Sequence, residues 1–142
     1  LIITHNLGHH GKERGFAQNI IDGALRTIEH AFQSVQMAKK AGVTIATGSD
    51  PDVDECVADE IEMLVKAGFT PLEAIEAATR VPMEVLRLAH QLGTIEVGKI
   101  ADFIILDGDP IRDLGALRRV EYVVQGGQVV KEPGHPVTVM AT

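Results

Sequence analysis

Apolar residues recur at helical spacing from Asn19 to Lys40: Ile20, Ile21, Ala24, Leu25, Ile28, Phe32, Val35 and Ala38. That period puts them on one face of an amphipathic helix. Lys39 and Lys40 suit its negative C-terminal end, and Gly42 is placed to close it. The pattern then tightens. Val43 to Thr47 is a β-branched run of strand length. Between Asp54 and Lys66, Val57, Ile61, Leu64 and Val65 return to helical spacing, with Gly68 as the stop. Thr70-Pro71-Leu72-Glu73 is a capping box with proline at the first helical position. It predicts a short helix through Ala78, and Pro82 is expected to open another that runs to about His90.

After Gly93 the pattern becomes strand-like. Phe103-Ile104-Ile105-Leu106 and Tyr122-Val123-Val124 read as strands, and Gln125-Gly126-Gly127-Gln128 as a hairpin turn into Val129-Val130. At the other end, Leu1 to Thr4 fits the last residues of a strand. His5 to Gly15 holds three glycines and three histidines and reads as a loop. Residues 1–91 thus follow a helix, strand, helix rhythm that suggests βα units and a parallel sheet. Residues 92–131 carry short antiparallel-type strands, and 132–142 form an irregular tail. Neither part is self-sufficient. One strand makes no parallel sheet and three short ones make a poor sandwich, so the missing strands are expected from further sequence or from another chain. The start at Leu1-Ile2-Ile3, without methionine, fits the same expectation.

Composition narrows the function classes. The chain has 142 residues, 45% of them apolar and 23% charged, as in a globular domain with its own core. A formal charge of −7 argues against nucleic acid, whose phosphates need a basic face. No apolar run has the length to cross a bilayer, and no signal-peptide pattern is present. The single cysteine, Cys56, excludes an internal disulfide and fits a reducing, cytoplasmic setting.

The chemistry-bearing stretch is Val43-Thr44-Ile45-Ala46-Thr47-Gly48-Ser49-Asp50, followed by Asp52, Asp54 and Glu55. An apolar run ending in a carboxylate suits a catalytic acid at a strand end, but Asp50-Pro51 is also an ordinary turn pair. One of Asp52 and Asp54 is placed to N-cap the following helix, while the others face solvent or substrate. His5, His9 and His10 invite a metal reading. Gly8 and Gly11 break the helix their spacing would need, which leaves substrate contact or a solvated loop. Cys56 has no histidine base at a useful spacing and reads as structural. His30 reads as a surface or interhelical residue, and His90 and His135 have no evident partner.

An ordered series of short motifs then carries a resemblance. Lys40-Ala41-Gly42-Val43 and Ala46-Thr47-Gly48-Ser49-Asp50 are followed by Ala67-Gly68-Phe69-Thr70-Pro71-Leu72-Glu73-Ala74-Ile75 and Ala77-Ala78-Thr79. Leu92-Gly93-Thr94-Ile95-Glu96-Val97-Gly98-Lys99-Ile100-Ala101-Asp102-Phe103 completes it. Over residues 35–131 the chain resembles the C-terminal part of the amidohydrolase superfamily, in the branch of imidazolonepropionases and metal-dependent prolidases. The resemblance implies an α/β fold: a (β/α)8 TIM barrel with a composite β-sandwich beside it. Leu1 to Thr4 would end the seventh strand, Val43 to Thr47 would be the eighth, and residues 92–131 would belong to the sandwich. Asp50 would contact a divalent metal, zinc in this reading, and carry a proton from the attacking water. The family's His-x-His pair, bridging lysine or glutamate, and two further metal histidines have no counterpart here. A lone carboxylate does not hold zinc, which takes three or four protein ligands.

Two functions are therefore expected from different classes. In one, the chain is the C-terminal segment of a metal-dependent hydrolase of an amide or peptide bond, with a small-molecule or dipeptide substrate, and is inert alone. It would then associate with an N-terminal portion or with copies of itself. In the other it is a non-catalytic α/β module that self-associates through open sheet edges.

Overall fold

A computed structural model of the chain describes residues 11–48 and 57–135. It divides into two compact units, Leu1–Ala78 and Thr79–Thr142.

In the first unit, α1 spans Gln18–Lys40, α2 Val57–Lys66 and α3 Pro71–Ala78. Both predicted glycine stops are in place. Gly42 and Gly68 have φ of 72° and 99°, a region open to glycine without a Cβ penalty. After α1, Gly42 N–H donates to Lys39 O at 3.0 Å and Val43 N–H to Ala38 O at 2.9 Å. After α2, Gly68 N–H donates to Val65 O at 2.9 Å and Phe69 N–H to Leu64 O at 3.1 Å. These paired bonds are the Schellman closure, which satisfies carbonyls that a helix end leaves open. The capping box is also formed: Thr70 N–H donates to Glu73 Oε2 at 2.7 Å, and Glu73 N–H to Thr70 Oγ1 at 3.2 Å.

Helices α2 and α3 pack together. They bury Ala58, Ile61, Met63 and Leu64 from one and Ala74 and Ala77 from the other. The small side chains of Ala74 and Ala77 let backbones approach. Along α1 only Ile21 and Ala24 are buried. Ile20 and Leu25, expected on its inner face, are 46% and 44% exposed.

Val43 to Thr47 is not a strand. Among the described residues, its one backbone bond beyond the α1 closure is Thr47 N–H to Ala77 O, at 2.8 Å. A strand exists only beside a partner, and no described segment runs alongside this one. No parallel pairing occurs among the described residues.

In the second unit, α4 spans Arg80–Val85, and β1 (Phe103–Leu106), β2 (Val120–Gln125) and β3 (Gln128–Lys131) form one antiparallel sheet ordered β1-β2-β3. All three strands match the pattern in the sequence. Gly126 and Gly127 have φ of 58° and 79°, as a type I′ hairpin turn requires, and Gln125 pairs with Gln128. Ala116, Val124 and Val130 are buried.

The fourth helix ends at Val85, not near His90. Arg87 takes φ of 62°, and the Leu88 N–H returns to Met83 O at 2.7 Å while Arg87 N–H bonds Glu84 O at 3.1 Å. The closure is again of Schellman type, built on an arginine where glycine is usual.

Candidate active site

Asp50, Asp52, His5, His9 and His10 all lie outside the described residues, as does Cys56. What the structure places is the framework leading into Asp50. Val43 is tied back to α1 through Ala38 O, and Thr47 is tied to α3 through Ala77 O. The main chain three residues before Asp50 is therefore held at both ends.

One polar node joins the elements that hold it. Lys39 Nζ, in the last turn of α1, donates to Glu73 Oε2 at 2.7 Å and to Gly68 O at 2.9 Å. It also lies 4.4 Å from the centroid of the Phe69 ring, a cation–π contact. Glu73 thus receives Lys39, the Thr70 N–H and, at 3.0 Å, the Thr70 hydroxyl. The Lys39 ammonium first, then the two Thr70 donors, lower the Glu73 carboxyl from its ordinary range to about 2.

The second unit holds its own polar fixings. Asp102 Oδ1 accepts the Gly126 N–H at 2.6 Å, and Gly127 N–H donates to Ala101 O at 3.0 Å. This aspartate of the Gly-Lys-Ile-Ala-Asp motif fastens the hairpin turn. Lys99 Nζ donates to the Thr94 hydroxyl, which donates to Glu96 Oε1 at 2.7 Å. The Thr94 hydroxyl, then Lys99, hold the Glu96 carboxyl below its usual range. Arg119 Nε donates to Asp107 O at 2.9 Å, and its Nη2 to Asp113 Oδ2 at 2.8 Å. Arg119, then the Gly115 N–H, lower the Asp113 carboxyl.

These lowered values set a pH dependence. An acid with a depressed folded pKa stabilises the fold fully above its unfolded value, and loses that contribution as pH falls through the folded one. The urea midpoint is expected to be flat above about pH 5 and to fall between about pH 4.5 and 2. Glu73 is exposed, so solvent screening keeps its share small. Glu73→Gln should shallow the slope in that window, and an unchanged slope would count against the Lys39 link.

No group of three or more His, Cys, Asp or Glu among the described residues is placed to hold a metal ion. His30 is exposed on α1. His90 Nε2 lies 2.7 Å from Gln91 Nε2, and His135 Nδ1 lies 3.2 Å from Glu132 Oε1. The described residues alone do not fit a zinc centre. Nor is any described helix long and apolar enough to cross a membrane.

Comparison with known proteins decides the family. The profile described as Amidohydrolase family matches residues 5–131. The chain belongs to the amidohydrolase family. Ochratoxinase of Aspergillus niger is 39% identical over 108 residues, which cover 72% of this chain and 22% of that protein. Imidazolonepropionase of Brevibacillus brevis is 33% identical over 98 residues, covering 65% and 23%. Among solved structures, a prolidase complexed with N-methylphosphonate-L-proline matches with a TM-score of 0.81 and 32% identity, over 91% of this chain and 33% of that one. A putative prolidase from Bifidobacterium longum gives 0.77 and 30%, over 89% and 32%. This amidohydrolase chain spans about a fifth of the curated relatives and about a third of the solved chains. It combines helices and strands in the manner of part of a TIM-barrel hydrolase. Family members generally use divalent metals.

The Lys39–Glu73 and Asp102–Gly126 links are the structural contacts that spacing did not reveal. Lys39 and Glu73 are 34 positions apart and Asp102 and Gly126 are 24 apart, beyond any local pattern. Glu73 and Asp102 lie within the motifs that carry the family resemblance, whereas Lys39 was legible only as a cation at the negative end of its helix.

Proposed function

We propose that the chain is the C-terminal part of a cytoplasmic, metal-dependent hydrolase that cleaves a C–N bond, in the direction of an Xaa-Pro dipeptidase. The observation that supports it most is the 32% identity, over 91% of this chain, to a prolidase structure holding a proline phosphonate. Val43 to Thr47 would be the last barrel strand once its neighbours are supplied. Residues 92–131 would be one share of a composite β-sandwich.

In this reading Asp50 accepts a proton from the attacking water and passes it to the leaving nitrogen. It also gives one carboxylate to a metal site, zinc in this reading, whose remaining ligands come from outside this chain. His5, His9, His10 and Asp52 border the substrate. Among the described residues β1 and β3 have open edges, with Ile104, Ile105 and Val129 exposed, and these favour association with an N-terminal portion or a second copy. The same edges support the other reading, a non-catalytic module that self-associates.

The test is the protein encoded by the reading frame extended upstream of Leu1. It is expected to carry stoichiometric zinc and to hydrolyse Xaa-Pro dipeptides, while the 142-residue chain does neither. A zinc-loaded extended protein inert towards dipeptides and N-acyl amino acids would overturn the reading. So would hydrolysis by the 142-residue chain alone.

A further inference from the structure

Between the end of α1 and Asp50 the chain has few residues in which to correct an error of direction. Val43 hangs from Ala38 O at 2.9 Å, and Thr47 from Ala77 O at 2.8 Å. Four peptide steps separate those anchors, a reach of roughly 13–14 Å when extended. The direction of this span therefore depends on how the last turn of α1 is tied to the first turn of α3. The Lys39–Glu73 pair joins those two elements. Glu73 lies in the first turn of α3, one turn before Ala77, and Lys39 lies beside Ala38.

We infer that Lys39 and Glu73 are a positioning pair that fixes Val43–Thr47, and so sets the direction in which the main chain leaves Thr47, three residues before Asp50 in the sequence. The inference deepens the proposed function and rests on its reading of Asp50. Lys39 is suited to the task by having three fixings at once: the Glu73 carboxylate, the Gly68 carbonyl and the Phe69 ring. A lysine held only by one exposed carboxylate would sample many rotamers. Glu73 is held from its own side by the capping box, so neither partner is free to swing.

Amide hydrogen exchange on the 142-residue chain tests the pair without activity. Lys39→Met and Glu73→Gln are each expected to lower protection at the Thr47 N–H about fivefold, the shift that a strong exposed ion pair produces. Lys39→Arg, which keeps the charge, should restore it. Amides in the middle of α2, in the same unit, should not change and so report that this unit stays folded. Unchanged Thr47 exchange in both Lys39→Met and Glu73→Gln would overturn the inference. In the extended protein, Lys39→Met should lower kcat about threefold to tenfold with KM unmoved, as expected for a misplaced proton carrier. Loss of KM alone would also overturn it. If Asp50→Asn leaves kcat intact, the catalytic reading of Asp50 fails, and Thr47 exchange still decides whether the pair fixes the span.

Discussion

Asp50→Asn in the extended protein is expected to lower kcat about 10²- to 10⁴-fold, with KM changed far less. Asparagine keeps the shape and the acceptor oxygen of aspartate but cannot hold a proton at neutral pH. This substitution also separates the two roles that the sequence leaves open. Asparagine is as good as aspartate in a turn or at a helix N-cap. An Asp50 that only shapes the Asp-Pro turn would therefore tolerate the change in both kcat and unfolding midpoint. A large fall in kcat with an unmoved midpoint supports the proton carrier, and full activity would remove it. Asp52→Asn is the internal comparison. If Asp52 borders the substrate, its change should appear in KM and leave kcat nearly intact.

What could be read in the sequence was whatever is decided within a few residues. The stops at Gly42 and Gly68 need only a residue with positive φ and the two preceding turns, and both are formed as expected. The Thr70–Glu73 box closes over three residues, and the Gly126-Gly127 turn over four. Long-range partnership was not legible. Val43 to Thr47 has strand composition, yet strand structure is a property of pairs, and no described neighbour supplies the other half. The α4 boundary failed differently. Nothing in Leu86-Arg87-Leu88 marks a stop, because the left-handed residue there is an arginine. Holding it costs roughly 1–2 kcal/mol that local sequence alone gives no reason to pay.

The candidate site divides along the same line. The motif series led to the amidohydrolase family, which the match over residues 5–131 shows. Several motif residues turn out to be fasteners. Asp102 holds the hairpin turn, Lys99 braces Thr94, and Glu73 completes a cap and takes Lys39. A motif therefore marks a constraint without saying whether the constraint is chemical or architectural. Asp50 differs from these carboxylates in its expected test. Replacing it should alter turnover, whereas replacing Glu73 should alter exchange and acid stability first.

The loop after α4 provides the second large effect. Gly93 has φ of 95°, and a Cβ added there would lie 3.0 Å from Met83 Cβ and Cγ and 3.2 Å from Arg80 Cα. The arginine atom is main chain and cannot swing aside. Gly93→Ala thus combines backbone strain of about 1–3 kcal/mol with overpacking of a further 1–3 or so. Gly98 isolates the first contribution: its φ is 93°, and nothing lies within 4 Å of an added Cβ. Gly98→Ala should cost only the strain, so urea unfolding should place Gly93→Ala about 1–3 kcal/mol below it. The displaced loop would also pull on the Thr94–Lys99 brace and on the Ile100 N–H bond to Gln91 O at 2.9 Å, which together close Thr94–Ile100 back onto Gln91. Equal losses in the two variants would mean that the loop relaxes away from α4. The glycine of Leu92-Gly93-Thr94 would then be required for its backbone angle alone.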